Sequence, residues 1–344
     1  MPAILTAGSE YSCNQLNDKM LGYHREIDQQ VDVYSFFLQN EWKTEKLSFL
    51  LGGRLDKNSF IEHIIFSPRV NLRYNPTGNI SLRASYSAGF RAPQTYDEDL
   101  HITAVGGEVS LIRLASDLKT EKSGSYSVSA DLYHNFGNVQ ANLLVEAYYT
   151  RLKHIFVVEP IGNDEAGNKI MERRNGPGAK VKGINLEGKI VPHKDVLIQL
   201  GMSFQENKYN KPQVWSDDPL AEKIRDMLRS PDRYGYFTFY SSPFKNMSVS
   251  LSGTYTGSMY VPHLAGYIEK DKLEKSGRFF DANIKLSYDF SISGNYVLQV
   301  NGGVQNIFQS YQKDFDQGLD RDAGYIYGPG LPRSWFAGIK LSLN

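Results

Sequence analysis

The chain has 344 residues, and its 38 lysines and arginines balance 38 aspartates and glutamates, so no net field favours a polyanion and no nucleic-acid partner is expected. A single cysteine, Cys13, excludes an internal disulfide framework and a cysteine metal cluster, and reads as an incidental thiol. No apolar run reaches the roughly 18 residues of a spanning helix, MPAILTAGSEYSCNQ has no leader pattern, and the negative mean hydropathy suits a soluble protein and a membrane barrel with a wet lumen equally.

From the N-terminus, a strand-like AILTAGSEY is followed by a long polar stretch, Ser12 to Gln30, and the tight turn Lys43 to Lys46. A shorter loop, Asp56 to Ile64, and another tight turn, Asn75 to Asn79, come next. Period-two alternation then becomes explicit. Ile80, Leu82, Ala84 and Tyr86 share one face, and Ser81, Arg83, Ser85 and Ser87 the other.

The polar stretch Arg91 to Lys122 holds Tyr96, Asp97, Glu98, Asp99 and His101, a set that reads either as a calcium or metal-chelate contact or as an ordinary solvated loop. After the turn Phe136 to Asn138 comes the long stretch Lys153 to Gly178, and after Pro192 to Asp195 the strand Val196, Ile198, Leu200, Met202, Phe204. Lys208 to Pro231 follows, carrying Tyr209 and Trp215. Within it Asp218 to Arg233 has a helical rhythm, with Leu220, Ile224, Met227 and Leu228 on one face, which predicts a short helix at the barrel mouth.

Beyond Ser242 to Asn246, Met247, Val249, Leu251 and Tyr255 alternate with Ser248, Ser250, Ser252 and Thr254, and Met259 to Gly277 brings Tyr267. Ile284, Leu286, Tyr288 and Phe290 alternate with Asn283, Lys285, Ser287 and Asp289. The turn Ser291 to Asn295 and the stretch Ser310 to Pro332, with Tyr325 and Tyr327, precede the closing alternation Trp335, Ala337, Ile339, Leu341, Leu343. The count is about fourteen strands of roughly ten residues, the length of tilted strands crossing a bilayer. Tight turns alternate with long loops throughout. The 22 tyrosines and 18 phenylalanines include many at strand ends, as two interfacial girdles require.

These features predict an all-β fold, a transmembrane antiparallel β-barrel. The long-loop aromatics Tyr209, Trp215, Tyr267, Tyr325 and Tyr327 are expected either to stack on a ligand or to pack among themselves. His63, His134, His154, His193 and His263 have no metal-ligand spacing and read as structural. No nucleophile elbow, phosphate loop or HExxH is present, so no catalytic residue, metal or cofactor is expected.

Three segments carry a family resemblance: SYSAGFRAPQTYDEDL (Ser85 to Leu100), NGGVQNIFQSY (Asn301 to Tyr311) and YGPGLPRSWFAGIKLSL (Tyr327 to Leu343). Together they resemble the TonB-dependent outer-membrane receptors. The resemblance implies that residues 1–344 are the C-terminal portion of a larger 22-stranded barrel, with the plug domain absent. It further implies binding of a scarce, bulky nutrient such as a ferric siderophore, haem or cobalamin, coupling to the TonB complex through the missing plug, extracellular long loops and a periplasmic C-terminus. Arg91, Tyr96, Asp97, Glu98, Asp99, His101, Tyr209, Trp215, Tyr267, Tyr325 and Tyr327 are then candidate ligand contacts. A passive porin, a surface-adhesion barrel and an oligosaccharide importer remain alternatives.

Overall fold

The computed structural model describes residues 2–96, 103–105, 108–216, 218–292 and 296–343, with the backbone alone at 103–105, 108 and 109. Fourteen strands form one antiparallel meander. In order along the sheet they are β1 (Ala3–Met20), β2 (Arg25–Lys43), β3 (Leu47–Asn58), β4 (Ile65–Thr77), β5 (Ile80–Arg91), β8 (Glu121–Phe136), β9 (Val139–Lys153), β12 (Ala179–His193), β13 (Val196–Gln213), β15 (Arg233–Phe244), β16 (Met247–Thr256), β19 (Phe279–Ser291), β20 (Tyr296–Gln305) and β21 (Ser334–Leu343). The short β14 (Ile224–Asp226) pairs with β13. Each strand pairs with its sequence neighbour in the sheet, and β1 and β21 are each paired on one side only among the described residues.

Following the register across the sheet assigns every side chain to one of two faces, because directly paired residues point the same way. One row runs Ile198, Phe239, Leu251, Ile284, Val304, Trp335. Another runs Phe49, Leu72, Ala84, Val128, Ala147, Ile184, Phe204. This face is apolar yet solvent-accessible: Leu200 is 58%, Ile339 75% and Leu341 62% exposed. Large apolar side chains this exposed, in continuous rows, need a nonaqueous partner, and a bilayer supplies it.

The opposite face is polar and bonded within itself. Arg54 Nε donates to Asp56 at 2.7 Å, its Nη2 to Ser35 at 2.7 Å, and its Nη1 to Glu10 at 3.0 Å. Asn185 bonds Glu146, and Ser203 donates to Asn185. Further along, the Tyr236 ring lies flat over Gly201, where an added Cβ would come within 2.3 Å of it. Only glycine permits this, and the ring thereby crosses β13 to place its hydroxyl 2.7 Å from Glu187 of β12.

The fourteen-strand expectation agrees with the sheet, but the strands are longer than expected. The stretch Ser12 to Gln30, predicted as a loop, is mostly strand: β1 and β2 pair without slip from Ala3↔Trp42 to Met20↔Arg25, and only a 3₁₀ turn at Leu21–Tyr23 and His24 remain between them. Above the lipid both faces are wet, so Asn14, Gln15, Asn17 and Asp18 lose the alternation. The antiparallel ladder still satisfies its own backbone groups.

The helix predicted over Asp218 to Arg233 is not formed. Residues 218–220 are turn and loop, and Ile224–Asp226 is β14, pairing with Lys208 and Gln213 of β13. With Pro219 before it and Pro231 after it, the segment is too short to nucleate a helix that has no face to bury. The other long stretches contain structure of their own. β10 (Phe156–Asn163) and β11 (Lys169–Asn175) form a hairpin, β11 pairs in parallel with β7 (Glu108–Leu114), and β7 pairs with β6 (Thr103–Val105). A second hairpin joins β17 (Tyr260–His263) to β18 (Lys272–Lys275).

Candidate functional site

The long connections all lie at one end of the sheet, and most of the buried apolar side chains are there too: Ile61, Leu111, Ile155, Ile170, Val261, Tyr325. This is where a water-exposed surface must be held by its own packing. Two loop assemblies result.

The first joins the β1–β2 hairpin, the segment after β5, and the β10–β11 hairpin. Arg25 donates to the Ile112 carbonyl, and Gln29 and Thr95 exchange two hydrogen bonds. The Arg91 guanidinium lies 3.9 Å over the Tyr96 ring and 5.4 Å from that of Phe156, a stacked cation partly shielded from water. Burial raises the Tyr96 phenol, against the pull of Arg91, and its hydroxyl donates to the Ala92 carbonyl. Of the acidic cluster, Asp97, Glu98, Asp99 and His101 lie outside the described residues.

The second assembly ties residues 306–333 to the β17–β18 hairpin and to the segment before β15. Gln312, wholly buried, donates to the Tyr325 carbonyl, and its Oε1 accepts the Tyr327 and Gly328 amides. His263 stacks on Tyr325 with ring centroids 3.7 Å apart, and its Nε2 lies 3.0 Å from Asp316 Oδ2. The same Asp316 oxygen accepts the Asp322 amide, and Asp322 accepts the Leu264 and Gly324 amides. Tyr325 and Tyr327 both donate to Asp314, at 3.1 and 2.7 Å. Burial foremost, with the Asp314 charge, pushes the Tyr325 phenol far up and that of Tyr327 up to about 12. Arg229 clamps the Gly324 and Ile326 carbonyls, and burial lowers it while Asp322 counteracts.

Between these assemblies lies a cavity of 390 Å³ lined by Pro160, Asn163 and Lys169 of the β10–β11 hairpin and by Val214, Trp215 and Lys223. Trp215 is fixed by donating from Nε1 to the Glu222 carbonyl, and Ser216 donates to Asp271, tethering this wall to the β17–β18 hairpin. Asp164, at the hairpin tip, is lowered by Asn168, whose side chain donates to it. An indole beside two lysines and a carboxylate, Asp218, suits a ligand with a flat or apolar surface and anionic groups.

The structure thus distributes the sequence-derived candidates. Trp215 lines the cavity. Tyr209 lies near the end of β13, four residues before Gln213, where its carbonyl accepts from Arg225, and Tyr267 is 55% exposed in the β17–β18 turn region. Tyr325 is buried and stacked, Tyr327 is half-buried, and Arg91 and Tyr96 pair with one another. His263, read only as structural from sequence, sits in the polar knot with Asp316, Asp322 and Gln312. No spacing signal marks that knot, since its members come from two loops about fifty residues apart. No group of three or more histidine, cysteine or acidic side chains poised for a metal occurs among the described residues.

Residues 4–307 match the family model described as TonB dependent receptor-like, beta-barrel. No curated protein sequence matches the chain. Among solved structures it is similar to the siderophore receptor PirA from Pseudomonas aeruginosa, with 17% identity over 98% of this chain and 53% of that one, and a TM-score of 0.66. It is also similar to a mutant ferric enterobactin receptor, PfeA, from Pseudomonas aeruginosa, in complex with enterobactin (16%, 98% and 51%, TM-score 0.71). A third is the FrpB iron transporter from Neisseria meningitidis (15%, 98% and 52%, TM-score 0.65). The chain spans about half the length of each.

Proposed function

The chain belongs to the TonB-dependent receptor β-barrel family, a family of transport receptors, and on that premise we propose that it forms barrel wall and ligand-gathering loops of an outer-membrane receptor for an iron chelate, a ferric siderophore first. The observation that carries the reading is the Trp215 cavity between two loop assemblies, above a sheet whose outer face is apolar and whose inner face is wet. A cavity of 390 Å³ is within the range of small-ligand sites. The iron-related names of similar structures favour a chelate over haem, cobalamin or an oligosaccharide.

In this reading the long loops are extracellular and the tight turns and C-terminus periplasmic. Import draws on energy relayed by the TonB complex through a plug enclosed by the complete barrel. No bond is made or broken, so the protein works by differential binding and release. Trp215, Tyr209, Tyr267 and Tyr327 offer aromatic contact, Arg91 and Tyr96 stand on the facing loop, and Asp97, Glu98, Asp99 and His101 stay candidate contacts from the sequence alone. Tyr325, buried and stacked on His263, supports the loops instead of meeting ligand.

Binding of ferric siderophores to cells carrying the receptor, measured with radioactive iron at low temperature, tests this. Trp215→Ala is expected to weaken binding by about five- to tenfold, the loss of about 1 kcal/mol or more from one aromatic stack. Iron chelates that bind neither protein, or that bind both equally, would remove the support; large ungated conductance in planar bilayers would favour the porin alternative.

A further inference from the structure

The apolar face ends abruptly at its loop end in a row of cations. Register places Arg151 of β9, Lys180 of β12 and Lys208 of β13 side by side on adjacent strands. The row beneath on the same face is Tyr126, Tyr149, Lys182 and Glu206, and beneath that Val128, Ala147, Ile184 and Phe204. Lys122 and Lys153 pair one row higher. Five cations therefore gather just beyond two interfacial tyrosines, with Lys182 a sixth at the tyrosine level, answered on this surface by Glu206 and Asp226. Glu206 bridges Lys182 at 3.2 Å and Lys208 at 3.4 Å, and Asp226 is the β14 partner of Lys208. Arg151 and Lys180 are exposed and make no ion pair among the described residues.

Like charges directly opposite each other in a sheet are unfavourable. Two alternating residues advance a strand by roughly 6.8 Å, so the row stands about one headgroup layer above the tyrosines. A phosphate-rich layer at that depth is its electrostatic complement.

We infer that Arg151, Lys180 and Lys208 dock a glycolipid of the outer leaflet that carries more than one phosphate. The inference rests on the reading that the long-loop end faces outward. Its acyl chains lie along the apolar rows of β9, β12 and β13, and its phosphates span the three cations, with Lys182 and Lys153 flanking. The ligand annuls the like-charge repulsion that the bare sheet carries.

The test uses the full chain in neutral detergent, with bis-phosphorylated lipid A titrated in and retention read by native mass spectrometry. Monophosphorylated lipid A and phosphatidylcholine serve as comparison probes. Wild type should retain the three in that order, with salt weakening the first. Arg151→Gln with Lys180→Gln and Lys208→Gln should lower retention about a hundredfold, at about fivefold per cation near a charged surface. Arg151→Lys with Lys180→Arg and Lys208→Arg should stay within a few-fold of wild type. Undiminished retention by the glutamine variant overturns the inference, as does equal loss in the charge-preserving one or equal retention of phosphatidylcholine. A chain that folds without detergent overturns the membrane reading instead, a separate outcome.

Discussion

Leu251 offers the sharpest test of which face meets lipid. It lies in the row Ile198, Phe239, Leu251, Ile284, four residues from Met247, which pairs with Tyr288, and four from Tyr255, which pairs with Phe280. Four residues span about 14 Å along a strand, or about 10 Å along the membrane normal at a tilt near 40°. The two aromatic levels are then about 20 Å apart, close to the roughly 25 Å apolar band of outer-membrane barrels, and Leu251 is at the midplane. Leu251→Arg should therefore cost about 2–4 kcal/mol. Ser250→Arg, one residue away but facing the wet side between Tyr240 and Lys285, should cost less than about 1 kcal/mol. Urea titrations of folding into vesicles, followed by tryptophan fluorescence and gel mobility, measure both. If the two variants lose the same stability, or Ser250→Arg loses more, the face assignment is wrong.

Orientation can be checked at Cys13, which is exposed and stands one outward-facing position beyond Tyr11 towards the long-loop end. An impermeant maleimide should label it on intact cells; labelling only after the outer membrane is opened would invert the topology. The tyrosine pair predicts an alkaline signature. Because the Tyr327 phenol is raised to about 12 from an ordinary value near 10, its contribution to loop stability is complete below about pH 10 and is lost as pH rises through about 12. The tyrosinate absorbance difference between wild type and Tyr327→Phe should accordingly titrate near 12, and a midpoint near 10 would mean that Tyr327 is neither buried nor held by Asp314.

Much of the fold was legible because lipid and water impose a period of two on any strand between them. Met247 to Tyr255 and Trp335 to Leu343 declare their faces without reference to any other residue, and the tight turns between strands fix an antiparallel meander. Where both faces are wet the period vanishes. Ser12 to Gln30 therefore looked like loop although β1 and β2 remain paired, and the rhythm of Leu220, Ile224, Met227 and Leu228 suggested a helix that has no surface to pack on.

The site was legible only as a set of aromatics in long loops. Sequence named Trp215, Tyr325 and Tyr327 alike, and packing separated them: Trp215 lines a cavity, while Tyr325 is stacked on His263 in a separate knot with Asp316 and Gln312. Side chains from separate loops meet there through hydrogen bonds whose partners are distant in the chain, and no local pattern encodes such a meeting. The cation row is of the same kind, since Arg151, Lys180 and Lys208 become neighbours only through register. Solvent periodicity, a local property, was thus determined by sequence alone, whereas the chemistry that depends on which strands and loops lie side by side was decided by the tertiary structure.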